Sequence, residues 1–139
     1  MTKKRIVITG GDGRFAKVLK SKNKILNILY PNKKILNILN TSSIEKYLKK
    51  VKPKYLIHAA GLSRPMNIHD KQISKSIDLN IVGTCNVVKA CSNLKIKLIY
   101  FSTGYVYEGK IGNYKENAPV FPINNYALSK MGGECAVAM

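Results

Sequence analysis

The sequence predicts an α/β fold in which a doubly wound parallel sheet carries helices on both faces. Three observations predict it. Short apolar runs typical of buried strands alternate with longer segments of helical periodicity. A glycine-rich turn follows the first of these runs and opens the first helical segment. The length of 139 residues suits one domain, and no shift of composition divides it, so residues 1–139 are interpreted as a single domain.

The first half of the chain shows strand and helix patterns in turn. Pro31 ends the second apolar run, because proline cannot donate to a sheet ladder. Ser42 and Glu45 have the spacing of a capping box, which predicts the start of a helix. In order, the predicted elements are a strand at 4–9, a helix at 14–20, strands at 24–29 and 34–39, a helix at 42–51 and a strand at 55–58.

The second half continues the alternation. One long segment places Ile77, Ile81, Cys85 and Val88 on a single stripe, which predicts an amphipathic helix. The predicted elements are a helix at 76–92, a strand at 97–101, a loop at 104–122 and a helix that begins near residue 126 and runs to the end of the chain. Strands joined through helices in this way pair in parallel.

The chain is strongly basic, with a formal net charge of +17. Of its 24 basic residues, 21 are lysines scattered along the chain and only three are arginines. A nucleic-acid-binding protein would more often concentrate its charge and use arginine for bidentate contacts. We therefore predict no nucleic-acid partner, and we expect the charge to favour anionic small ligands.

Cysteine and hydropathy patterns exclude several other classes. Cys85, Cys91 and Cys135 lack the spacing of a zinc site or a disulfide framework, and neither His58 nor His69 has further metal ligands spaced around it, so no metal is predicted. No apolar run approaches the roughly 20 residues that span a bilayer, so we predict no membrane association. The basic N-terminus leads directly into a run too short for a signal peptide, which predicts a cytoplasmic protein.

The glycine-rich turn predicts a phosphate site. Gly10 permits the tight turn, Gly13 lets the backbone approach an anion, and the small Ala16 allows the helix to pack closely on the strand. Unpaired N–H groups and a partial positive charge at the helix N-terminus favour an anion there. Strand, turn and helix together predict the pyrophosphate site of a dinucleotide in a Rossmann-type fold.

The predicted cofactor is NADP or NAD. The acidic residue that usually contacts the adenosine ribose is absent, because no Asp or Glu occurs between Asp12 and Glu45. Lys33 and Lys34 lie near that point, and a lysine there would hold a 2′-phosphate. Two further lysines in a lysine-rich chain explain the pattern equally well, so the preference for NADPH is weak.

A second predicted site combines hydroxyl groups with a lysine. Ser102 and Thr103 follow the predicted strand at 97–101, and Tyr126 and Lys130 are four residues apart, which places them on one helical face. A lysine ammonium beside a phenol lowers the phenol pKa, so that the tyrosine exchanges a proton with an alcohol or a carbonyl. A nearby hydroxyl holds the carbonyl oxygen in place.

These motifs, in this order, resemble the extended short-chain dehydrogenase/reductases, and within them the dTDP-4-dehydrorhamnose reductase type. Residues 9–16 read T-G-x-x-G-x-x-A where the short-chain enzymes have T-G-x-x-G-x-x-G. Residues 102–109 read S-T-G-Y-V-Y-E-G where the reductase type has S-T-D-Y-V-F-D-G, and residues 126–134 match its Y-G-x-T-K-x-x-G-E at four positions, Tyr126, Lys130, Gly133 and Glu134. The similarity extends over essentially the whole chain.

The resemblance implies an NAD(P)H-dependent reductase that acts on the 4-keto group of a nucleotide-linked deoxysugar. It implies that Thr103 orients the substrate oxygen, that Tyr126 exchanges the proton, and that Lys130 tunes Tyr126 and binds the nicotinamide ribose. Asn37 stands where the family usually has an aspartate near the adenine. The implied cofactor-binding residues are Gly10, Gly13, Arg14, Phe15, Asn37, Ala59, Ala60, Gly61, Tyr126 and Lys130.

Other functions stay open at this point. An epimerase shares the Thr–Tyr–Lys set, and a non-catalytic NAD(P)-binding fragment or regulatory subunit keeps the fold without turnover. A 4,6-dehydratase is disfavoured, because Gly104 and Tyr105 stand where it has acidic residues. Family members are longer than this chain. We therefore expect a sheet that is incomplete at its C-terminal end and no substrate-binding lobe. The resemblance also implies a homodimer for the full-length protein.

Overall fold

The computed structural model describes residues 4–139, so residues 1–3 of the basic N-terminal segment lie outside the described residues. Strands and helices alternate, as predicted. In chain order the elements are β1 (Arg5–Thr9), α1 (Arg14–Lys22), β2 (Asn27–Leu29), α2 (Thr41–Val51), β3 (Tyr55–His58), α3 (Ile68–Lys71), α4 (Ile73–Ser76), a π-helical segment (Ile77–Val82), α5 (Gly83–Asn93), β4 (Lys97–Tyr100), a 3₁₀ turn (Gly104–Val106) and α6 (Asn125–Ala138).

The four strands form one parallel sheet in the order β2-β1-β3-β4. The chain moves from β1 to β2 in one direction and from β2 to β3 in the other. Right-handed crossovers therefore place α1 on one face of the sheet and α2 on the opposite face. The predicted α/β fold with a doubly wound parallel sheet is confirmed.

The core lies between the sheet and the layer formed by α2 and α5. Val7 and Ile8 of β1 are fully buried although they point to opposite faces, which is typical of a parallel strand covered on both sides. The apolar stripe of α2 contributes Ile44 and Leu48, both essentially without exposure. The buried cluster comprises Val7, Leu36, Ile38, Ile44, Leu48, Leu56, Val87, Ala90, Cys91 and Ile96.

The strand predicted at 34–39 is wrong. The backbone turns there instead, because the N–H groups of Ile35 and Leu36 both donate to the carbonyl oxygen of Asn32, at 3.1 and 2.9 Å. Leu36 and Ile38 nevertheless enter the core, with 2% and 5% of their surface exposed. The apolar alternation of this segment therefore reflects two side chains that anchor a loop, and the segment adds no strand to the sheet.

Two predicted boundaries also need correction. The capping box of Ser42 and Glu45 does not start α2. The helix begins at Thr41, and the side-chain oxygen of Asn40 accepts the N–H of Ser43 at 2.9 Å. The second strand is shorter than predicted and starts at Asn27.

The helix predicted at 76–92 is part of a longer helical stretch that runs from residue 73 to residue 93. Its middle, Ile77–Val82, has the wider π-helical turn. This turn places Asn80 and Thr84 in buried positions, 2% and 1% exposed, beside the carboxyl ends of the strands. The short helix α3 was not predicted. Across residues 4–139 no helix is both long and apolar enough to cross a membrane.

Candidate active site

The candidate site lies where the sheet order reverses. β1 pairs with β2 on one side and with β3 on the other, so the loops that follow β1 and β3 diverge at their carboxyl ends. A crevice opens at such a switch point in doubly wound sheets. The glycine-rich turn after β1 and the residues Ala59, Ala60 and Gly61 after β3 border this crevice.

Each glycine of the turn has a definite steric reason. Gly10 has a positive φ of 71°, and a Cβ at this position would lie 3.0 Å from the Cα of Ala60. Gly13 caps α1, and its N–H donates to the carbonyl oxygen of Gly10 at 2.8 Å. Gly11, which the sequence motif leaves free, packs on the segment after β2, where a Cβ would lie 2.4 Å from the carbonyl oxygen of Tyr30.

Two cavities share the β3 turn and together cross the crevice. The first, about 280 Å³, is lined by Gly10, Asp12, Gly13, Lys33, Leu36, Asn37, Ile38, Ala59, Ala60, Gly61 and Leu79. The second, about 300 Å³, is lined by Phe15, His58, Ala59, Ala60, Gly61, Leu62, Ser63, Asn80, Phe101, Ser102, Tyr126 and Lys130. Nine of the ten predicted cofactor-binding residues therefore line one continuous cleft, with Arg14 as the exception.

The β3 turn is fixed by a buried hydroxyl. The Thr9 hydroxyl oxygen accepts the N–H groups of Ala59 and Ala60, at 3.1 and 3.0 Å, and lies 2.8 Å from Nδ1 of His58. Nε2 of His58 lies 3.1 Å from the hydroxyl oxygen of Thr84. Burial, and to a smaller extent the charge of Lys130, lowers the pKa of His58 to about 3. His58 is therefore part of the hydrogen-bond network that fixes the β3 turn.

The end of the cleft at Lys33 and Asn37 is polar and basic. A cavity of about 680 Å³ adjoins it and is lined by Asp12, Asn32, Lys33, Lys34, Asn37, Asn40 and Ser43. The side-chain oxygen of Asn37 accepts the N–H of Leu39 at 3.1 Å, so this side chain is oriented by its own loop. Lys33 lines both cavities, which joins the basic end to the glycine-rich turn.

Tyr126 and Lys130 lie one turn apart on α6 and line the same cavity. Asn124 caps the helix, because its side-chain oxygen accepts the N–H of Ala127 at 2.8 Å. Burial lowers the pKa of Lys130 to about 8, and the nearby Glu134 opposes this shift. Lys130 is therefore largely protonated at neutral pH, as its predicted role requires.

A third cavity, about 680 Å³, lies on the other side of Tyr126. Its lining residues are Arg14, Ser63, Arg64, Pro65, Met66, Thr103, Tyr105 and Tyr126. Thr103 and Tyr126 therefore line the same cavity here, while Tyr126 and Lys130 line the cleft together. Arg14, the first residue of α1, also borders this third cavity. Arg14 and Arg64 are two of the three arginines in the chain.

Several residues that fix the position of Tyr126 and of the loop after β3 were not predicted. His69 of α3 is buried and packs on the ring of Tyr126, with 4.9 Å between centroids, while its Nδ1 lies 2.6 Å from the hydroxyl of Ser76. Asn80 fixes the loop after β3 with two hydrogen bonds. Its side chain accepts the N–H of Leu62 at 2.7 Å and donates to the Leu62 carbonyl at 2.8 Å. These contacts join residues distant in sequence, so no local motif indicates them.

Within residues 4–139 no group of histidine, cysteine or acidic side chains could hold a metal ion. The described cysteines are free thiols, and burial raises the pKa of Cys91 to about 12, so this thiol stays protonated.

The chain matches the family model described as RmlD substrate binding domain over residues 4–139. Methionine adenosyltransferase 2 subunit beta of Xenopus laevis is 30% identical over 143 aligned residues, which cover 96% of this chain and 42% of that protein. A dTDP-4-dehydrorhamnose reductase from Aggregatibacter actinomycetemcomitans is 27% identical over 134 residues, which cover 94% of this chain and 45% of the enzyme. The chain thus spans less than half the length of these curated relatives.

Solved structures agree with this similarity. The dTDP-4-dehydrorhamnose reductase of Bacillus anthracis, in complex with NADP, superimposes with a TM-score of 0.90 at 30% identity, covering 99% of this chain and 50% of that one. RMD from Pseudomonas aeruginosa, complexed with NADPH, superimposes with a TM-score of 0.80 at 24% identity and supports the fold alone. The resemblance drawn from the motifs is confirmed, and the chain belongs to the RmlD substrate binding domain family.

Proposed function

We propose that this chain binds NADPH and supplies the cofactor site and the acid–base residues for reduction of the 4-keto group of a nucleotide-linked deoxysugar. The observation that carries the proposal is the continuity of the cleft from Lys33, past the glycine-rich turn, to Tyr126 and Lys130. The relative from Bacillus anthracis, 30% identical, is described as a dTDP-4-dehydrorhamnose reductase in complex with NADP.

The cleft suits a dinucleotide. A Cβ at position 10 or 13 would lie 3.0 Å from neighbouring backbone atoms, so the tight turn before α1 requires glycine at both positions. The first N–H groups of a helix have no partner within it, so the start of α1, which borders the cleft at Gly13, favours a pyrophosphate. The second cavity, bordered by Phe15 and Phe101, offers an apolar wall for a nicotinamide ring.

When bound, the reduced nicotinamide supplies a hydride to the keto carbon. Tyr126 donates its phenolic proton to the keto oxygen as negative charge develops there. Lys130, which is protonated below a pKa of about 8, stabilises the phenolate that remains. The hydroxyl of Thr103 donates a hydrogen bond that holds the keto oxygen in place.

The third cavity suits the phosphates of the substrate. Arg14 and Arg64 border it together with Thr103 and Tyr126. A guanidinium group binds phosphate oxygens in pairs, so two arginines beside the proton donor suit a diphosphate-linked sugar.

Replacement of Tyr126 tests the proposal directly. Tyr126→Phe should reduce NADPH oxidation with a keto-sugar nucleotide by roughly 10²-fold or more, because the proton donor is lost. NADPH affinity, measured by the fluorescence of the bound cofactor, should stay nearly unchanged. Full turnover in this variant would contradict the role assigned to Tyr126.

The preference for NADPH rests on Lys33 and Lys34. The double variant Lys33→Gln, Lys34→Gln should bind NADPH roughly tenfold more weakly, because a 2′-phosphate loses its ion pairs. NADH, which has no such phosphate, should bind the variant almost as well as it binds the original chain. An equal loss for both cofactors would assign the lysines to general electrostatic attraction.

A second candidate function is that of an accessory subunit. The 30% identical relative from Xenopus laevis is named as a subunit, methionine adenosyltransferase 2 subunit beta. NADPH binding without turnover of any keto-sugar nucleotide would favour this candidate. The presence of Thr103, Tyr126 and Lys130 together favours turnover.

The epimerase alternative and the predicted homodimer each have a direct measurement. An epimerase would return the hydride to its substrate, so net oxidation of NADPH distinguishes the reductase from it. The homodimer of the full-length protein stays a prediction, and light scattering measures it.

A further inference from the structure

Lys130 is held by a residue of the sheet. Tyr100, the last residue of β4, places the centroid of its ring 4.1 Å from the Nζ atom of Lys130. The hydroxyl of Tyr100 donates a hydrogen bond to the carbonyl oxygen of Lys130 at 3.1 Å. One tyrosine therefore contacts both the charged end and the backbone of the same lysine.

The contact with the backbone requires a glycine in α6. A Cβ at position 133 would lie 2.6 Å from the hydroxyl oxygen of Tyr100 and 2.7 Å from the carbonyl oxygen of Asn80. Gly133 therefore lets the tyrosine hydroxyl reach the helix backbone. Burial raises the pKa of Tyr100, so its hydroxyl keeps the proton that it donates.

The ring also compensates for the missing carboxylate partner of Lys130. Within residues 4–139, no carboxylate lies within ion-pairing distance of its Nζ atom, since the salt bridges of this part of the chain join other residues. Glu134 instead accepts a hydrogen bond from the hydroxyl of Ser102 at 2.7 Å. An aromatic face within about 6 Å attracts an ammonium group, most strongly where water is excluded.

We propose that Tyr100 is a positioning residue for Lys130: its ring face holds the ammonium group in the cleft and its hydroxyl fixes the turn of α6 that carries the lysine. This inference rests on the proposed function, in which Lys130 stabilises the phenolate of Tyr126, and on the contact with the nicotinamide ribose that the family resemblance implies for Lys130. The ring favours the protonated form of Lys130 and opposes the effect of burial.

The test is NADPH binding by the full chain, measured from pH 6 to 10 at intervals of about half a unit across the pKa values of lysine groups. Tyr100→Leu removes the ring, and Tyr100→Phe keeps the ring without its hydroxyl. Tyr55→Leu is the matched control, because Tyr55 lies at the opposite end of the neighbouring strand β3. Besides Tyr100, the titratable groups around Lys130 are Glu134 and Tyr126 of α6 and His58. These three groups are the same in all variants.

The expected results separate the two contacts. Tyr100→Leu should weaken NADPH binding by about tenfold and move the alkaline loss of binding to lower pH, because the ammonium loses its aromatic partner. Tyr100→Phe should keep the pH of that loss and show a smaller decrease in affinity. Tyr55→Leu should change neither quantity.

A folded Tyr100→Leu variant with the original affinity and the original pH dependence would overturn the proposal. If thermal unfolding shows that this variant does not fold, fluorinated phenylalanine at position 100 replaces it, because fluorination weakens the ring face and keeps its shape. Unchanged binding along the fluorinated series would again overturn it. Failure of the original chain to bind NADPH would contradict the proposed function itself, which is a separate outcome.

Discussion

At the scale of single residues, one hydrogen-bond chain sets the protonation state of the buried histidine. The hydroxyl of Thr84 donates to the carbonyl oxygen of Asn80 at 2.8 Å, so its oxygen is left to accept from Nε2–H of His58. Nδ1 of His58 must then accept from the hydroxyl of Thr9. The neutral ring therefore satisfies every partner, and a second proton on it would break the contact with Thr9.

Because His58 is neutral in the folded chain, the unfolding free energy depends on pH. The pKa of His58 falls from 6.5 to about 3 on folding. The stabilisation that neutral His58 adds to the unfolding free energy is therefore complete above pH 6.5 and is lost as the pH falls toward 3. In that interval the unfolding free energy should decrease by up to about 1.4 kcal/mol per pH unit. Urea unfolding at several pH values measures the slope. His58→Asn should show a clearly smaller slope, and an equal slope would assign it to other groups.

The sequence predicts neighbours within one helix, but it does not predict neighbours that come from distant elements. Tyr126 and Lys130 were predicted to lie together, because a helix places residues four apart on one face. Both line the same cavity. Tyr100 and His69 were not predicted as neighbours of these residues, because they come from β4 and α3. Only the packing of the whole sheet and its helices brings them together.

At the scale of elements, α6 owes its position to glycines that let it approach the central helical stretch. A Cβ on Gly132 would lie 2.9 Å from the Cδ1 atom of Ile81, and a Cβ on Gly133 would lie 2.7 Å from the carbonyl oxygen of Asn80. The first contact meets a flexible side chain, whereas the second meets backbone. The position of α6, and with it Tyr126, therefore depends mainly on Gly133.

Gly133→Ala should consequently destabilise the chain. The gain in helix propensity is about 1 kcal/mol, and the overpacking costs about 1–3 kcal/mol. We expect a net loss of stability in urea unfolding and weaker NADPH binding, because α6 must shift. Gly104→Ala is the control, since nothing lies within 4 Å of a Cβ at that position. Equal stability of both variants would contradict the assigned role of Gly133.

The sequence predicts three of the strands well, but it wrongly predicts a further strand at residues 34–39. The runs that became β1, β3 and β4 lie between turns and pair with one another along their length. Residues 34–39 have a similar apolar pattern, but the N–H groups of Ile35 and Leu36 donate to the carbonyl oxygen of Asn32. The backbone therefore forms a turn there and does not pair with the sheet. Periodicity records which side chains are buried, and it does not record which backbone groups pair.

At the scale of the whole molecule, the net charge of +17 acts on every anionic ligand. Few carboxylates offset it, since the chain has 24 basic and only 7 acidic residues. The resulting potential should concentrate phosphates around the protein, in addition to the specific contacts of the cleft. Binding of a dinucleotide should therefore combine a salt-sensitive and a salt-insensitive part.

NADPH affinity should fall several-fold as the salt concentration rises from about 0.1 M to about 1 M, where the Debye length shrinks from about 10 to about 3 Å. Titration of the chain with NADPH at several salt concentrations measures the slope. Neutral adenosine should bind with little salt dependence and serves as the control. A flat response for NADPH would mean that the scattered lysines contribute nothing to its capture.

The wide turn at Ile77–Val82 has a consequence for how the chain tolerates change. A π-helical turn holds one more residue than the α-helical spacing needs, and each residue of a helix turns the chain by about 100°. Deleting any one residue from this segment would leave a helix, but it would rotate α3 and α4 away from α6. His69 would then leave Tyr126. In this part of the chain, the number of residues constrains the site as much as their identity does, so a one-residue gap here would be costlier than most substitutions.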